Sequence, residues 1–175
     1  MRRSLWLLLP ICILAGCDTL PGTETVVLPE KTVTLRFEFS TDGMTAGQAV
    51  DVTSTGTADL GPDLQRDGFT KGEVVSATVL GAELTRGTAG VSLAFLNEAS
   101  LSVSANSVGR KKVASTSSLS DQKTIPLELA NTGMTEYVTS PSFQGVLTLV
   151  PGSAVGGDDY TVQATIRLRI EVEGV

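Results

Sequence analysis

The stretch Tyr160-Thr161-Val162-Gln163-Ala164-Thr165-Ile166-Arg167-Leu168-Arg169-Ile170-Glu171-Val172 decides the fold. Its residues alternate between apolar and polar without a break. Successive side chains of a strand point to opposite faces, so this spacing makes one apolar face and one polar face. On a helix the same spacing would scatter the apolar groups around the axis. At about 3.3 Å per residue the stretch spans roughly 43 Å. That suits one long strand, or one bent between two sheets.

The same period recurs near the other end of the chain. Val33, Leu35, Phe37 and Phe39 alternate with Thr32, Thr34, Arg36 and Glu38. Between these ends, strands are predicted at Gln48–Thr55, Glu73–Leu84, Gly90–Leu96, Ser100–Ala105, Lys112–Ser117, Thr124–Leu129 and Phe143–Val150. Asp42-Gly43, Gly61-Pro62, Asp67-Gly68, Pro151-Gly152 and Gly156-Gly157 punctuate them as turns. Polar-out alternation favours antiparallel pairing. The expected fold is therefore an all-β, antiparallel β-sandwich, immunoglobulin-like or jelly-roll, of about eight or nine strands over residues 31–175.

Two segments depart from the strand pattern. Pro62–Asp67 reads as one helical turn, with Leu60 and Leu64 on one side and Gly68 ending it. Met134–Thr139 reads as another, with Met134, Tyr137 and Val138 turned inward. Both are expected to plug the open ends of the sandwich. Gly43-Met44-Thr45 recurs as Gly133-Met134-Thr135, too short a match in a Gly- and Thr-rich chain to mark a duplication. If the first long strand lies beside the last, Arg36 and Glu38 are expected opposite complementary charges drawn from Arg167, Arg169, Glu171 and Glu173. Each such pair would contribute up to about 1 kcal/mol. Otherwise these charges solubilise the sheet and deter edge-to-edge association.

Composition removes several chemistries. The 175 residues suit one domain with a sizeable core. They include no histidine, which removes the usual general base and the Ser-His-Asp and Cys-His arrangements. The cysteines are Cys12 and Cys17, and the tryptophan is Trp6, all near the N-terminus. The folded part thus has no thiol for a disulfide, a nucleophile or a zinc–sulfur site.

The N-terminus explains where those cysteines belong. Arg2 and Arg3 precede the apolar run Leu5–Leu14, and Leu14-Ala15-Gly16-Cys17 closes it. A cationic start, a short apolar run and small residues at a cleavage site make a secretory signal. The run is too short for a membrane span of about 20 residues, and Pro10 interrupts it. Leu14-Ala15-Gly16-Cys17 resembles the lipobox of bacterial lipoproteins. The resemblance implies cleavage before Cys17, a diacylglyceryl group on its sulfur, and often a third acyl chain on its amine. One chain anchors only marginally, and stable anchoring takes a second. Residues 1–16 are then a lipoprotein signal peptide, with Leu5–Gly16 expected as a helix detached from the sandwich. The other reading is a plain secretory signal that leaves Cys17 as an incidental thiol. Asp18 does not decide between inner and outer membrane.

Residues 17–30 read as the lipidated cysteine and a flexible tether, containing Pro21, Gly22 and Pro29. Val26-Val27-Leu28 could add to a sheet edge, against the flanking prolines. Two of the 13 Lys and Arg lie in the leader and all 19 Asp and Glu lie after it, which leaves a formal charge of −8 on the remainder. That acidic balance argues against nucleic acid and anionic headgroups as partners. Arg110-Lys111-Lys112 is the only basic run and reads as a solvated loop.

Each remaining chemistry meets a plainer reading. Asp158-Asp159 is the obvious carboxylate pair, but neighbours in a strand point to opposite faces, and Gly156-Gly157 marks a turn. Calcium would draw on Asp42, Asp63, Asp67, Asp158 and Asp159, though the dense spacing of an EF-hand loop is absent. Sugar binding would need an open face on Tyr137 or Tyr160. The expected function is a lipid-anchored cell-envelope protein with a non-enzymatic sandwich serving structure or protein contact. It would need no cofactor. Its partners would be the membrane, through acyl chains on Cys17, and an envelope protein. The alternative is a module binding glycan or calcium, and a carboxylate-dependent hydrolase stands third.

Overall fold

The computed structural model describes residues 24–87, 92–117, 119–153 and 156–174. The expected leader helix Leu5–Gly16 and Cys17 lie outside the described residues. In chain order the strands are β1 (Thr25–Val27), β2 (Lys31–Ser40), β3 (Val50–Ala58), β4 (Val74–Arg86), β5 (Leu96–Ala105), β6 (Gly109–Thr116), β7 (Thr124–Leu129), β8 (Phe143–Pro151) and β9 (Asp159–Glu173). Two short helices, α1 (Gly61–Arg66) and α2 (Thr135–Thr139), interrupt them.

The fold is all-β and antiparallel, as the alternation requires. Its spine is β9. The apolar residues from Tyr160 to Val172 are buried, while Gln163, Arg167, Arg169 and Glu173 are exposed. One edge of β9 pairs with β4. The other edge takes β2 along most of its length and β1 at its end. From β4 the sheet continues through β7, β6, β5 and β8 to β3. It curls so that its two halves face each other across one core, a sandwich-like arrangement. β7 makes the turn between halves, pairing with β4 on one side and at Ala114 and Ser115 of β6 on the other.

On the opposite side β2 and β3 approach without a ladder, and the Thr55 hydroxyl donates to the Arg36 carbonyl at 3.4 Å. There β3 bulges between Thr53 and Thr57. The buried Ser54 hydroxyl accepts from the Gly145 N–H at 3.0 Å and donates to the Gly56 carbonyl at 2.6 Å. A side chain thus replaces the ladder bond that the bulge removes.

Several expectations need correction. Gly90–Leu96 is not a separate strand: among its described residues, 92–95 form a turn and Leu96 opens β5. The Ser92 hydroxyl accepts from the Ala94 N–H at 3.0 Å, and the Leu96 N–H donates to Leu93 at 3.0 Å. Leu93 and Phe95 pack on the core from that turn, so their alternation imitates a strand. Arg110-Lys111-Lys112 is no loop either, because a tight turn over Ala105–Gly109 places all three on β6. Gly109 has φ +82°, which a side chain would resist.

The first long strand does lie beside the last, but its charges are not matched across the pair. Arg36 sits opposite Gln163 and Glu38 opposite Thr161. Arg36 instead meets Glu38 on its own strand at 2.7 Å, and Arg167 reaches Glu30 at 3.6 Å. The register is set by the buried face, and the polar face takes what that register leaves it.

Both helices are where the sequence puts them, but they gather at one end. Leu60 and Leu64 are buried beside α1, and Met134, Tyr137 and Val138 beside or within α2. α1 follows the end of β3, and Asp67 just after it pairs with Lys31 at the start of β2. Lys71, in a 3-10 turn before β4, donates to the Ser140 and Pro141 carbonyls just after α2. The opposite end is closed by loops: the Thr41 N–H donates to Asp158 at 2.9 Å, and its buried hydroxyl donates to the Gly156 carbonyl.

Candidate functional site

Two ends and two outer faces hold the chemistry. At the loop end, the Ser40–Asp42 corner meets the turn before β9. Asp42, Asp158 and Asp159 are all exposed there. Asp159 lies opposite Ser40, and the backbone of Asp158 is bonded to Thr41 in both directions. The two aspartates are thus held by their backbones, with their carboxylates toward solvent. Phe39, Tyr160 and Phe95 pack beneath them: Phe39 and Tyr160 stack at 5.3 Å with ring planes 4° apart, and Phe95 meets Tyr160 at 5.3 Å. Burial, and after it the nearby Asp158 charge, pushes the Tyr160 hydroxyl above its usual range.

The other calcium candidates are committed to cations of the protein itself. Asp63 pairs with Arg66 one turn along α1 at 3.0 Å, and Asp67 pairs with Lys31. The structure therefore separates Asp63 and Asp67, at the helical end, from Asp158 and Asp159 at the loop end. Among the described residues no three acidic side chains gather in a metal-binding cluster.

Tyr137 and Tyr160 are both buried, so neither offers an open face to a sugar ring. Tyr137 lies in α2 with its hydroxyl 3.4 Å from the Gly109 carbonyl. Burial, then Glu136, pushes that hydroxyl above its usual range. Open grooves run beside α1 and α2. One, about 570 Å³, runs past Asp59, Gln65, Thr70, Lys71 and Pro141.

No protein-family model matches the sequence. No curated protein matches it either. Among solved structures, a chain from the infectious bursal disease virus Gx strain superposes with a TM-score of 0.34 and 15% identity, over 86% of this chain and 32% of that one. The protein thus spans about a third of the viral chain's length.

Two polar constellations were not legible in the sequence. On the outer face of the β3–β8–β5–β6 half, Arg110 crosses β5 to grip Asp51 at 2.5 and 3.1 Å and the Thr148 hydroxyl at 2.6 Å. The Arg110 guanidinium first, and the Thr148 hydroxyl second, hold the Asp51 carboxyl below the usual carboxylate range. By register, Ser102 of β5 lies beneath this crossing and is buried although it faces outward. At the helical end Lys71 pairs with Asp59 at 2.6 Å besides its two carbonyls. Lys71, with the Gly61 N–H, depresses the Asp59 carboxyl. Both constellations join residues far apart in the chain, and no local spacing announces them. Their partners are mutually satisfied, so they read as struts that fix strand and helix positions.

Proposed function

We propose that this is a lipid-anchored protein of a bacterial cell envelope whose β-sandwich serves structure or protein contact without catalysis. The observation that carries this reading is the leader closed by Leu14-Ala15-Gly16-Cys17. The absence of histidine, and the confinement of both cysteines to the first 17 residues, support the non-catalytic part. The acidic balance supports solubility of the domain outside the bilayer and turns the search for partners toward proteins. The membrane contact would come from the acyl chains on Cys17.

The test compares wild type with Cys17→Ser by membrane fractionation, with intact mass taken on the extracted protein. Membrane-bound wild type carrying acyl mass, beside a soluble or unprocessed variant, is the expected result. A soluble, unmodified wild type would overturn the anchor and leave a freely secreted domain with a spare thiol.

A further inference from the structure

We propose that the helical end of the sandwich faces the bilayer, with the exposed valines of β1 and of the first β4 bulge against the lipid surface. This rests on the lipid-anchor reading above. Three observations carry it.

The first is reach. Cys17 and Glu24 are seven residues apart. At about 3.3–3.6 Å per residue the chain between them spans at most about 25 Å. The fifteen residues of β9 extend about 50 Å. The Thr41–Asp158 loop end lies at the far end of β9 from β1, so the anchor cannot reach past the domain and turn that end to the membrane.

The second is where the most exposed large apolar side chains lie, ahead of Leu80 and Leu129 elsewhere on the sheet. Val26 is 42% exposed, Val27 57% and Val75 45%. Val26 lies opposite Val172 on β9, and Val172 lies opposite Val74 on β4. The β4 bulge leaves Val75 out of the ladder next to Val74. Val26 and Val27 point to opposite faces of the sheet, so the three exposed valines lie around the end of β1 and β4 where the tether enters rather than on one flat face.

The third is that β1 is fastened. The Gly174 N–H donates to the Glu24 carbonyl, and the Leu28 N–H donates to Ile170 at 2.9 Å with Leu28 buried. The anchor's pull therefore acts on a docked strand and holds this end, rather than a loose arm, near the surface. A zwitterionic surface suits the site, since Glu24, Glu171 and Glu173 stand beside the valines and would be repelled by anionic headgroups.

The test uses the full mature chain in phosphatidylcholine vesicles that carry a headgroup-attached quencher. Single fluorophores are placed at Val27→Cys, Val75→Cys and Asp42→Cys, with Thr25→Cys as a second β1 position. Thermal unfolding of each variant shows that the sandwich is intact. Intact mass on the same samples reports acylation at Cys17. With acyl mass present, quenching at 25, 27 and 75 several-fold stronger than at 42 is the expected result. Equal quenching at all positions, or stronger quenching at 42, overturns the orientation while leaving the anchor in place. Absent acyl mass overturns the anchor reading, and the orientation with it, and is read independently of the fluorescence.

Discussion

Gly145 is empty of side chain because the ring of Phe37 is there. A Cβ on Gly145 would stand 2.7 Å from Phe37 Cζ and 2.8 Å from Leu35 Cδ1. β8 and β2 belong to opposite halves of the curled sheet, so this close approach is where the halves interlock. Both Phe37 and Leu35 are buried, in a core where side chains pack closely.

Gly145→Ala should therefore destabilise the fold by about 1–3 kcal/mol, as overpacking does in a tight core. Urea unfolding followed by circular dichroism reads this directly. An unchanged midpoint would mean that Phe37 shifts without strain and that the interlock is looser than the distances imply.

Ser54→Ala should cost about 1–3 kcal/mol for a different reason: it leaves the buried Gly145 N–H without an acceptor. Thr53→Ala, an exposed change on the same strand, should stay within about 0.5 kcal/mol. Equal effects from the two substitutions would show that a water or a shifted backbone takes over the Ser54 role.

Lys71→Met should loosen the segment after α2. Lys71 donates to the Ser140 and Pro141 carbonyls at 2.6 and 2.9 Å and pairs with Asp59. Lys71 is half-buried and its partner Asp59 is exposed, which limits the loss to about 1–2 kcal/mol. Hydrogen exchange should accelerate over residues 135–142 more than in β5 or β9. Uniform acceleration would place Lys71 in the global stability and not in a local clip.

Stability should be flat from about pH 5 to 9 and fall at both extremes. Asp51 and Asp59 are held below the usual carboxylate range, chiefly by Arg110 and Lys71. A depressed carboxyl contributes stability above its unfolded value, about 3.9, and loses it as pH falls through the folded value. Both sites face solvent, so the acid loss should be under about 1 kcal/mol each. Tyr137 and Tyr160 are raised, chiefly by burial. Their contribution is present below about pH 10 and is lost as pH rises above it. Residues 18–175 hold neither histidine nor cysteine, so no side chain there ordinarily titrates between these limits. Melting temperature against pH checks the profile, and a steep change between pH 6 and 8 would contradict it.

The parts of this fold that local chemistry determines could be read directly. β7 occupies Thr124–Leu129, the predicted range, because its boundaries follow from composition alone. β9 and β2 follow from a period of two, and Leu60 with Leu64 marked a helical turn. Register and layer assignment depend on partners distant in the chain. Hence the gathering of α1 and α2 at one end was not legible, nor was the reach of Arg110 to Asp51, nor the placing of Asp63 and Asp67 away from Asp158 and Asp159. The false strand at Gly90–Leu96 shows the limit of periodicity: Leu93 and Phe95 alternate because a turn drops both onto the core.

β9 follows β1, β2 and β4 in the chain and is the strand on which all three pair. During synthesis, therefore, half the sheet waits for a template that emerges after everything it must hold. Until then β2 and β4 present unpaired edges and an uncovered apolar face, and the high sequence separation of their contacts makes closure slow. Under the lipid-anchor proposal, a chain exported in such a state would be threadable rather than folded. Truncation before Asp159 should give no partial sandwich, only an aggregation-prone chain, because the missing piece is the inner strand that joins β1 and β2 to β4.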